Sequence, residues 1–502
     1  MGRQAQNREA YQRVSEAFKA QRNGATVADI VAKTALPLQT VRELAPQVAD
    51  EYAARLEVTE SGEIRYSFPK GFTSKYRGVK ASLRKAADFV KKYSKLGGMW
   101  VFKVWIMFML FGYFTLFMVI ALASLMLSVV ANTSSSSSNR SSRSHGGGLG
   151  SMYFSTSIFN MIIRMWFYSE LFKPRDMYGR PIGSNAPSNT KKRPLHKAIF
   201  SFIFGDGDPN AQWPSREKRA VIAYIQAKQG VITLPEFISL TGLPPLEAES
   251  RITEYCVEFG GSPEASAEGT VVYRFDDILL RENTADRSFP GYSAPLKGLK
   301  KFSSNLKKMN TSFSLINGIN LFFGGYFFYN ALSTGAILTQ AQLDASSYLY
   351  GLSYILLSQV TQNPLPALTI GLGLIPICFS LLFWLIPAFR SRKLKKDNER
   401  IKLENFRKEG FAAIWNNPLR VNPQEIRPQN EESLPKNIRS AQDRIIHEAG
   451  AYASPEVFID ETGSEIFVFP DINREKEAVA RYRASIDPAA SALGKTIFDS
   501  DA

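Results

Sequence analysis

Cysteine and histidine are almost absent from this 502-residue chain, with two of the first and three of the second. Cys256 and Cys378 exclude a disulfide framework and a multi-cysteine metal site by count alone. His145, His196 and His447 leave little for a histidine-based one. Charge is missing too, but only locally. No Asp, Glu, Lys or Arg occurs in Val104–Ala131, Thr311–Leu343 or Ala345–Phe389. Each run exceeds the roughly 20 residues a membrane helix needs. Residues 1–98 are polar and patterned, so no cleavable signal peptide is expected. With 45% apolar and 21% charged residues, whole-chain disorder is excluded. The absences predict an integral membrane protein.

The net charge of +15 would suggest nucleic acid if it were spread out. It is not. Lys70–Lys95 carries nine basic residues and one acidic one, and Lys173–Lys197, Lys297–Lys308 and Arg390–Lys402 are also strongly basic. Together these four stretches exceed the whole net charge, so the remainder is acidic. Each flanks an apolar run, which predicts cytoplasmic flanks and contacts with anionic lipid headgroups. With Lys297–Lys308 and Arg390–Lys402 on one side, an even number of crossings separates them. The expected hairpin has helices near Phe313–Leu332 and Ala367–Phe389, with 347–360 interfacial or re-entrant. Val104–Ala131 is expected to cross. Met152–Phe172, interrupted by Arg164 and Glu170, either returns the chain or lies on the surface as an amphipathic helix.

The polar regions share a pattern. Thr34-Ala-Leu-Pro-Leu resembles Thr241-Gly-Leu-Pro-Pro, and 25 positions separate Pro37 from Gly62 and Pro244 from Gly269. Each glycine opens an alternating strand, Gly62-Glu-Ile-Arg-Tyr-Ser-Phe and Gly269-Thr-Val-Val-Tyr-Arg-Phe. Gly463-Ser-Glu-Ile-Phe-Val-Phe repeats the form. Helix, short helix, longer helix and β-hairpin is the order of a winged helix. The predicted architecture is therefore a mainly α membrane protein with α+β soluble modules: transmembrane helical hairpins plus three winged-helix-like repeats. Module 1 covers 1–69, a basic juxtamembrane helix 70–98, and a first transmembrane region 99–172 with a Ser/Gly linker at 133–150. Module 2 covers 198–284, a second transmembrane region 311–390, a basic helix and module 3 391–475, and a C-terminal tail 476–502.

DNA readers place Arg, Lys, Asn or Gln on the recognition helix. Here the second module offers Glu247, Glu249, Glu254 and Glu258 against Arg251, and the first offers Glu43, Asp50 and Glu51 against Arg42. Such faces repel phosphate. Glu247, Glu249 and Glu254 are therefore expected to bind a protein partner, and nucleic acid is not.

Phe204-Gly-Asp-Gly-Asp-Pro-Asn, the Ser/Gly tract after the first span, and Asn398-Glu-Arg-Ile with Asn405-Phe-Arg resemble an uncharacterised family of bacterial and plastid multi-pass membrane proteins. The resemblance runs from about residue 100 to 415 and implies a multi-pass protein of the bacterial inner membrane, with no activity to carry over. Some relatives bear an iron–sulphur label, for which two separated cysteines cannot supply the ligands.

Asp206, Asp208, Asn210 and Glu217 occupy positions 1, 3, 5 and 12 of a calcium-loop pattern. Position 6 is Ala211 where glycine is required, so a turn is expected there, with Ser215 capping the next helix and no metal bound. Gly494-Lys-Thr lacks the earlier glycine of a phosphate loop. No catalytic set can be assembled, and no cofactor is expected. The expected function is a membrane-anchored scaffold, not an enzyme, whose cytoplasmic modules bind protein partners, with self-association possible. The alternatives are a membrane-tethered DNA-binding regulator and a small-solute transporter.

Overall fold

A computed structural model describes residues 2–69, 71–74, 79–134, 193–282, 295–334, 348–428, 434–461, 463–487 and 492–501. The Ser/Gly stretch beyond Ser134 and the segment 152–172 lie outside these residues. The chain is mostly helical with small antiparallel sheets. In order it forms α1 (Gly2–Ala20), α2 (Val27–Thr34), α3 (Leu38–Tyr52), β1 (Arg55–Thr59), β2 (Ile64–Ser67), α4 (Val79–Ser134) and α5 (Leu195–Phe204). Then come α6 (Trp213–Ala227), β3 (Val231–Ile232), α7 (Leu234–Thr241), α8 (Pro245–Phe259), β4 (Ser262–Ala265) and β5 (Val271–Arg274). The rest is α9 (Lys307–Thr334), α10 (Tyr348–Ser358), a π-helical stretch Ala367–Leu374 leading into α11 (Ile375–Asn416), α12 (Ile438–Tyr452), β6 (Glu456–Ile459), β7 (Glu465–Val468), α13 (Pro470–Ser485) and β8 (Thr496–Asp499). Two compact units result. One unites Met1–Val90, Gly207–Lys300 and Lys393–Ala502; the other unites Lys91–Asp206 and Lys301–Arg392.

Local chemistry explains the elements of the first unit. Thr26 and Asp29 form a capping box on α2, and at α7 the Glu236 carboxylate accepts from the Thr233 N–H at 3.1 Å. Asn422 accepts from the Gln424 N–H and caps the short helix of the third module, which is a single 3-10 turn at Pro423–Glu425. Gly62, Gly269 and Gly463 have φ of 80°, 81° and 77°, the left-handed region that a hairpin turn requires. One link was not visible in the sequence: a single residue or a two-residue strand before each short helix pairs with the hairpin. Ala25 bridges Tyr66, Val231 and Ile232 pair with Arg274 and Tyr273, and Val421 bridges Phe467. Beyond these pairs, Phe68, Phe275 and Phe469 donate their N–H groups to the carbonyls of Arg22, Gly230 and Pro418 at 2.9, 2.8 and 2.8 Å. Their rings are buried.

One hydrophobic cluster runs through the whole first unit, from Val14 and Phe18 through Tyr255 and Phe275 to Phe411 and Phe469. Two buried carboxylates inside it, Asp29 and Glu236, are paired with arginines, which offsets their desolvation. Asp29 meets Arg281 at 3.0 Å, and Glu236 meets Arg483 at 2.6 Å. Arg407 meets Glu448 at 2.6 Å. The stretch read as a tail from 476 holds the remainder of α13 and the strand β8. That strand pairs antiparallel with β1, giving the order β2-β1-β8.

In the second unit, Gly97–Ser124 and Ala367–Asn416 are the described helices long and apolar enough to cross a membrane, by length and composition. The span expected at 313–332 lies in α9, which is helical but falls short of that apolarity. Asn317, Asn320 and Asn330 with Gly318, Gly324 and Gly325 dilute it. The segment read as interfacial or re-entrant forms α10, whose 11 residues are too few to cross. Asn317 and Asn320 are buried and donate to the carbonyls of Ser380 at 3.0 Å and Leu110 at 2.8 Å. A Cβ at Gly324 would stand 3.3 Å from the Gly373 carbonyl, so α9 and the π-helical stretch touch through small residues.

Candidate functional site

The Phe204–Asn210 motif combines left-handed glycine backbone at Gly205 and Gly207 with hydrogen-bonded polar side chains. Helix α5 stops at Gly205, whose φ is 85°. A Cβ there would lie 2.6 Å from Nη1 of Arg390. That guanidinium collects the carbonyls of Phe302, Phe202 and Ile203 at 2.7, 2.8 and 3.1 Å. Asp206 accepts from the Ser304 N–H at 2.7 Å and the Ser201 hydroxyl at 2.8 Å, and pairs with Arg193. Burial pushes its carboxyl up, but hydrogen bonds from Arg193, Ser304 and Ser201 hold it well below the usual carboxylate range.

In the first unit, three asparagines grip the main chain of the segment 297–300. Asn210 accepts the Gly298 N–H at 2.9 Å and donates to the Gly298 carbonyl at 2.8 Å. Asn398 does the same for Lys300, both bonds at 2.9 Å, and Asn405 for Lys297, again at 2.9 Å each. A carboxamide presents one donor and one acceptor side by side, as a neighbouring strand would. The segment thus has its polar backbone satisfied outside any sheet. Asp208 accepts the Asn210 N–H at 2.9 Å and pairs with Lys300 at 3.0 Å; both contacts lower its pKa. Lys300 also pairs with Asp397 at 3.2 Å.

Glu217 accepts from the Trp213 indole at 2.7 Å. The four side chains of the calcium-like pattern therefore each have a protein partner of their own. Among the described residues no group of three His, Cys, Asp or Glu is arranged to hold a metal ion. Ser215 does not cap α6, which begins at Trp213, and its carbonyl accepts from Arg219 at 3.2 Å.

Glu247, Glu249 and Glu254 are exposed on α8, while Ala248, Ile252, Tyr255, Cys256 and Phe259 face inward. Arg251 pairs with Glu254, and Lys218 pairs with Glu258. Two further residues belong to this outer face. Leu246 is 84% and Val257 82% exposed. Their signal in the sequence was phase: both are apolar and both fall off the buried stripe. On α12, Arg444 is engaged by Glu448 at 2.9 Å. A cleft of about 1140 Å³ beside that helix is lined by Asn422, Arg427, Arg439, His447, Glu465 and Phe467 among others.

Sequence reasoning also missed two buried titratable groups, because burial here is tertiary. Burial pushes the Glu475 carboxyl up to about 7, against the Tyr452 hydroxyl that donates to it at 2.7 Å. Lys408, brought down to about 8 by burial, donates to the Pro295 carbonyl at 2.9 Å and lies 4.5 Å from the Trp213 ring centroid. Burial raises the Cys256 thiol to about 11, which leaves it a packing residue and not a nucleophile.

The chain is 22% identical over 413 residues to the uncharacterized chloroplastic protein At5g03900 of Arabidopsis thaliana, across 78% of this chain and 70% of that one. No protein-family profile matches the chain. No solved structure matches it either.

Proposed function

We propose that this protein is a multi-pass membrane scaffold of a bacterial or plastid membrane, with winged-helix-like modules that bind protein partners. The observation that carries the reading is the outer face of α8. In a winged helix this is the helix that reads DNA. Here it presents Glu247, Glu249 and Glu254 between two exposed apolar residues, Leu246 and Val257. Carboxylates repel a phosphate backbone, whereas apolar anchors ringed by charge suit a protein surface. The membrane part of the reading is supported by large apolar side chains that stay exposed along the second unit, among them Trp100, Phe108, Phe322 and Phe389. The basic flanks Lys297–Lys308 and Arg390–Lys402 then meet anionic headgroups. No catalytic role is assigned to any residue.

Reversing Glu247, Glu249 and Glu254 to Lys in the full chain tests the reading. The triple variant should fold, because all three sites are exposed, and should lose proteins that co-purify from membranes with the wild type. Unchanged partners would remove α8 as the docking face. Tight, sequence-dependent binding of duplex DNA by the wild-type chain at physiological salt would replace the scaffold with a tethered regulator.

A further inference from the structure

In the first unit, one hairpin edge is covered by an added strand, and among the described residues no strand lies on its counterpart. Strand β8 lies antiparallel on β1, with Asp499 opposite Glu57 and Phe498 opposite Val58. Arg55 closes the pair by binding Asp499, its Nε at 2.9 Å from the carboxylate. Under this cover no residue of β1 is exposed. The counterpart of β1 in the third module is β6. Leu56 pairs with Tyr66 and Val457 with Phe467, the aromatic four residues after the turn glycine in both cases. That register makes Glu456 the equivalent of Arg55, Phe458 of Glu57 and Ile459 of Val58. Every residue of β6 is exposed, with Val457 at 55%, Phe458 at 53% and Ile459 at 75%. The edge is thus more apolar than its covered counterpart. Within Glu456–Ile459 it has no lysine, no proline and no bulge, and its one charge, Glu456, stands at its start beside Pro455.

We propose that β6 receives an antiparallel strand from a partner protein, an extended segment with two adjacent apolar residues followed by Lys or Arg. The apolar pair comes from Ile497-Phe498 on β8. The basic residue comes from charge: where β8 sets Asp499 against Arg55, the third module offers Glu456, so the arriving strand carries the opposite sign. The same point argues against a swapped β8 from a second copy, whose Asp499 would face a carboxylate. Main-chain hydrogen bonds supply affinity and the flanking charge supplies choice, as in other strand additions. This surface is separate from the outer face of α8, though it serves the same reading of the chain as a partner-binding scaffold.

The test uses the full chain in detergent and two fluorescein-labelled peptides: residues 495–501 as they stand, and the same peptide with Asp499→Lys. Fluorescence anisotropy should show the substituted peptide binding tighter on the order of tenfold, the ratio that about 1.4 kcal/mol represents. Glu456→Arg should invert the preference. Phe458→Lys should abolish binding of both peptides, which separates this edge from β1. The triple reversal on α8 should change neither, so failure of the edge and failure of the α8 face are told apart. The proposal is overturned if neither peptide binds up to about millimolar concentration. It is equally overturned if the preference survives Glu456→Arg, or if sedimentation shows a dimer that Phe458→Lys dissociates, since the edge would then belong to a second copy.

Discussion

Gly242 marks the end of α7 with φ 70°, and its surroundings leave no room for a methyl group. A Cβ there would stand 2.5 Å from the Glu404 carbonyl and 2.9 Å from Cγ of Lys408. Gly62, at φ 80°, has nothing within 4 Å of the same construction. Gly62→Ala should therefore cost about 1 kcal/mol, the conformational term alone. Gly242→Ala should cost about 3 kcal/mol, because main chain must also move. Unfolding midpoints of the two variants in one detergent give the comparison. The equivalent position after α2 is Ala35, at φ 54°, so the first module tolerates there what the second cannot.

Glu475 supplies a pH dependence whose sign is set by its raised pKa. The ordinary value is 4.5, and burial brings the folded value to about 7. Between those limits the folded state holds the proton more firmly than the unfolded state, so the stability this group contributes is fully present below 4.5 and is lost as pH rises through about 7. Glu475→Gln should flatten this slope and leave the protein more stable than wild type at pH 8, read from melts across pH 5 to 8. Nothing in the sequence around Glu475 announces it. The residue sits on an amphipathic helix among other charges, and only packing shows that it points inward.

At the scale of elements, the asparagine grip gives a prediction specific to a few amides. Asn398→Ala removes both bonds to Lys300, and Asn405→Ala both bonds to Lys297. Hydrogen exchange of a peptide covering 295–301 should speed up in each variant, and in the pair by more than in either. Unchanged exchange would mean that burial alone protects the segment. This grip also shows where sequence reading stopped. Gly205, Asp206, Asn398 and Asn405 stood out as a motif, but their roles depend on main chain up to about a hundred residues away. Helix starts were legible only in part: the one cap expected from sequence, Ser215, lies inside α6, which begins at Trp213. Hairpin turns were legible because a glycine precedes an alternating strand. The pairings of Ala25 and Val421 were not, since one residue has no periodicity. Strand β8 was not, because four residues pairing across the length of the chain leave no local trace. The span expected in α9 was read from absence of charge, a measure blind to its asparagines and glycines.

At the scale of the molecule, the shared core constrains the topology more tightly than the apolar helices do. Residues from Met1–Val90, Gly207–Lys300 and Lys393–Ala502 belong to one compact unit, and one hydrophobic cluster runs through all three. In the membrane protein proposed above, a unit with a single core lies on one side. On the proposed membrane reading, each of the two intervening stretches, Lys91–Asp206 and Lys301–Arg392, leaves that side and returns to it. Gly97–Ser124 is long and apolar enough for one crossing in the first, and Ala367–Asn416 for one in the second. In the second stretch α9 is the described helix long enough to return the chain, since 28 residues span about 42 Å at 1.5 Å each and α10 has only 11. Its asparagines are no bar if they stay paired, as Asn317 and Asn320 do with the Ser380 and Leu110 carbonyls. Single cysteines at the hairpin tips Ser61, Glu268 and Glu461, in a chain whose Cys256 and Cys378 are replaced by Ala and Ser, should all react with an impermeant maleimide from the same side. A cysteine at Gln362, exposed between α10 and the π-helical stretch, should react only from the other. Labelling of Gln362 and the three tips from one side would mean that α9 does not cross, and with it the second hairpin would fall.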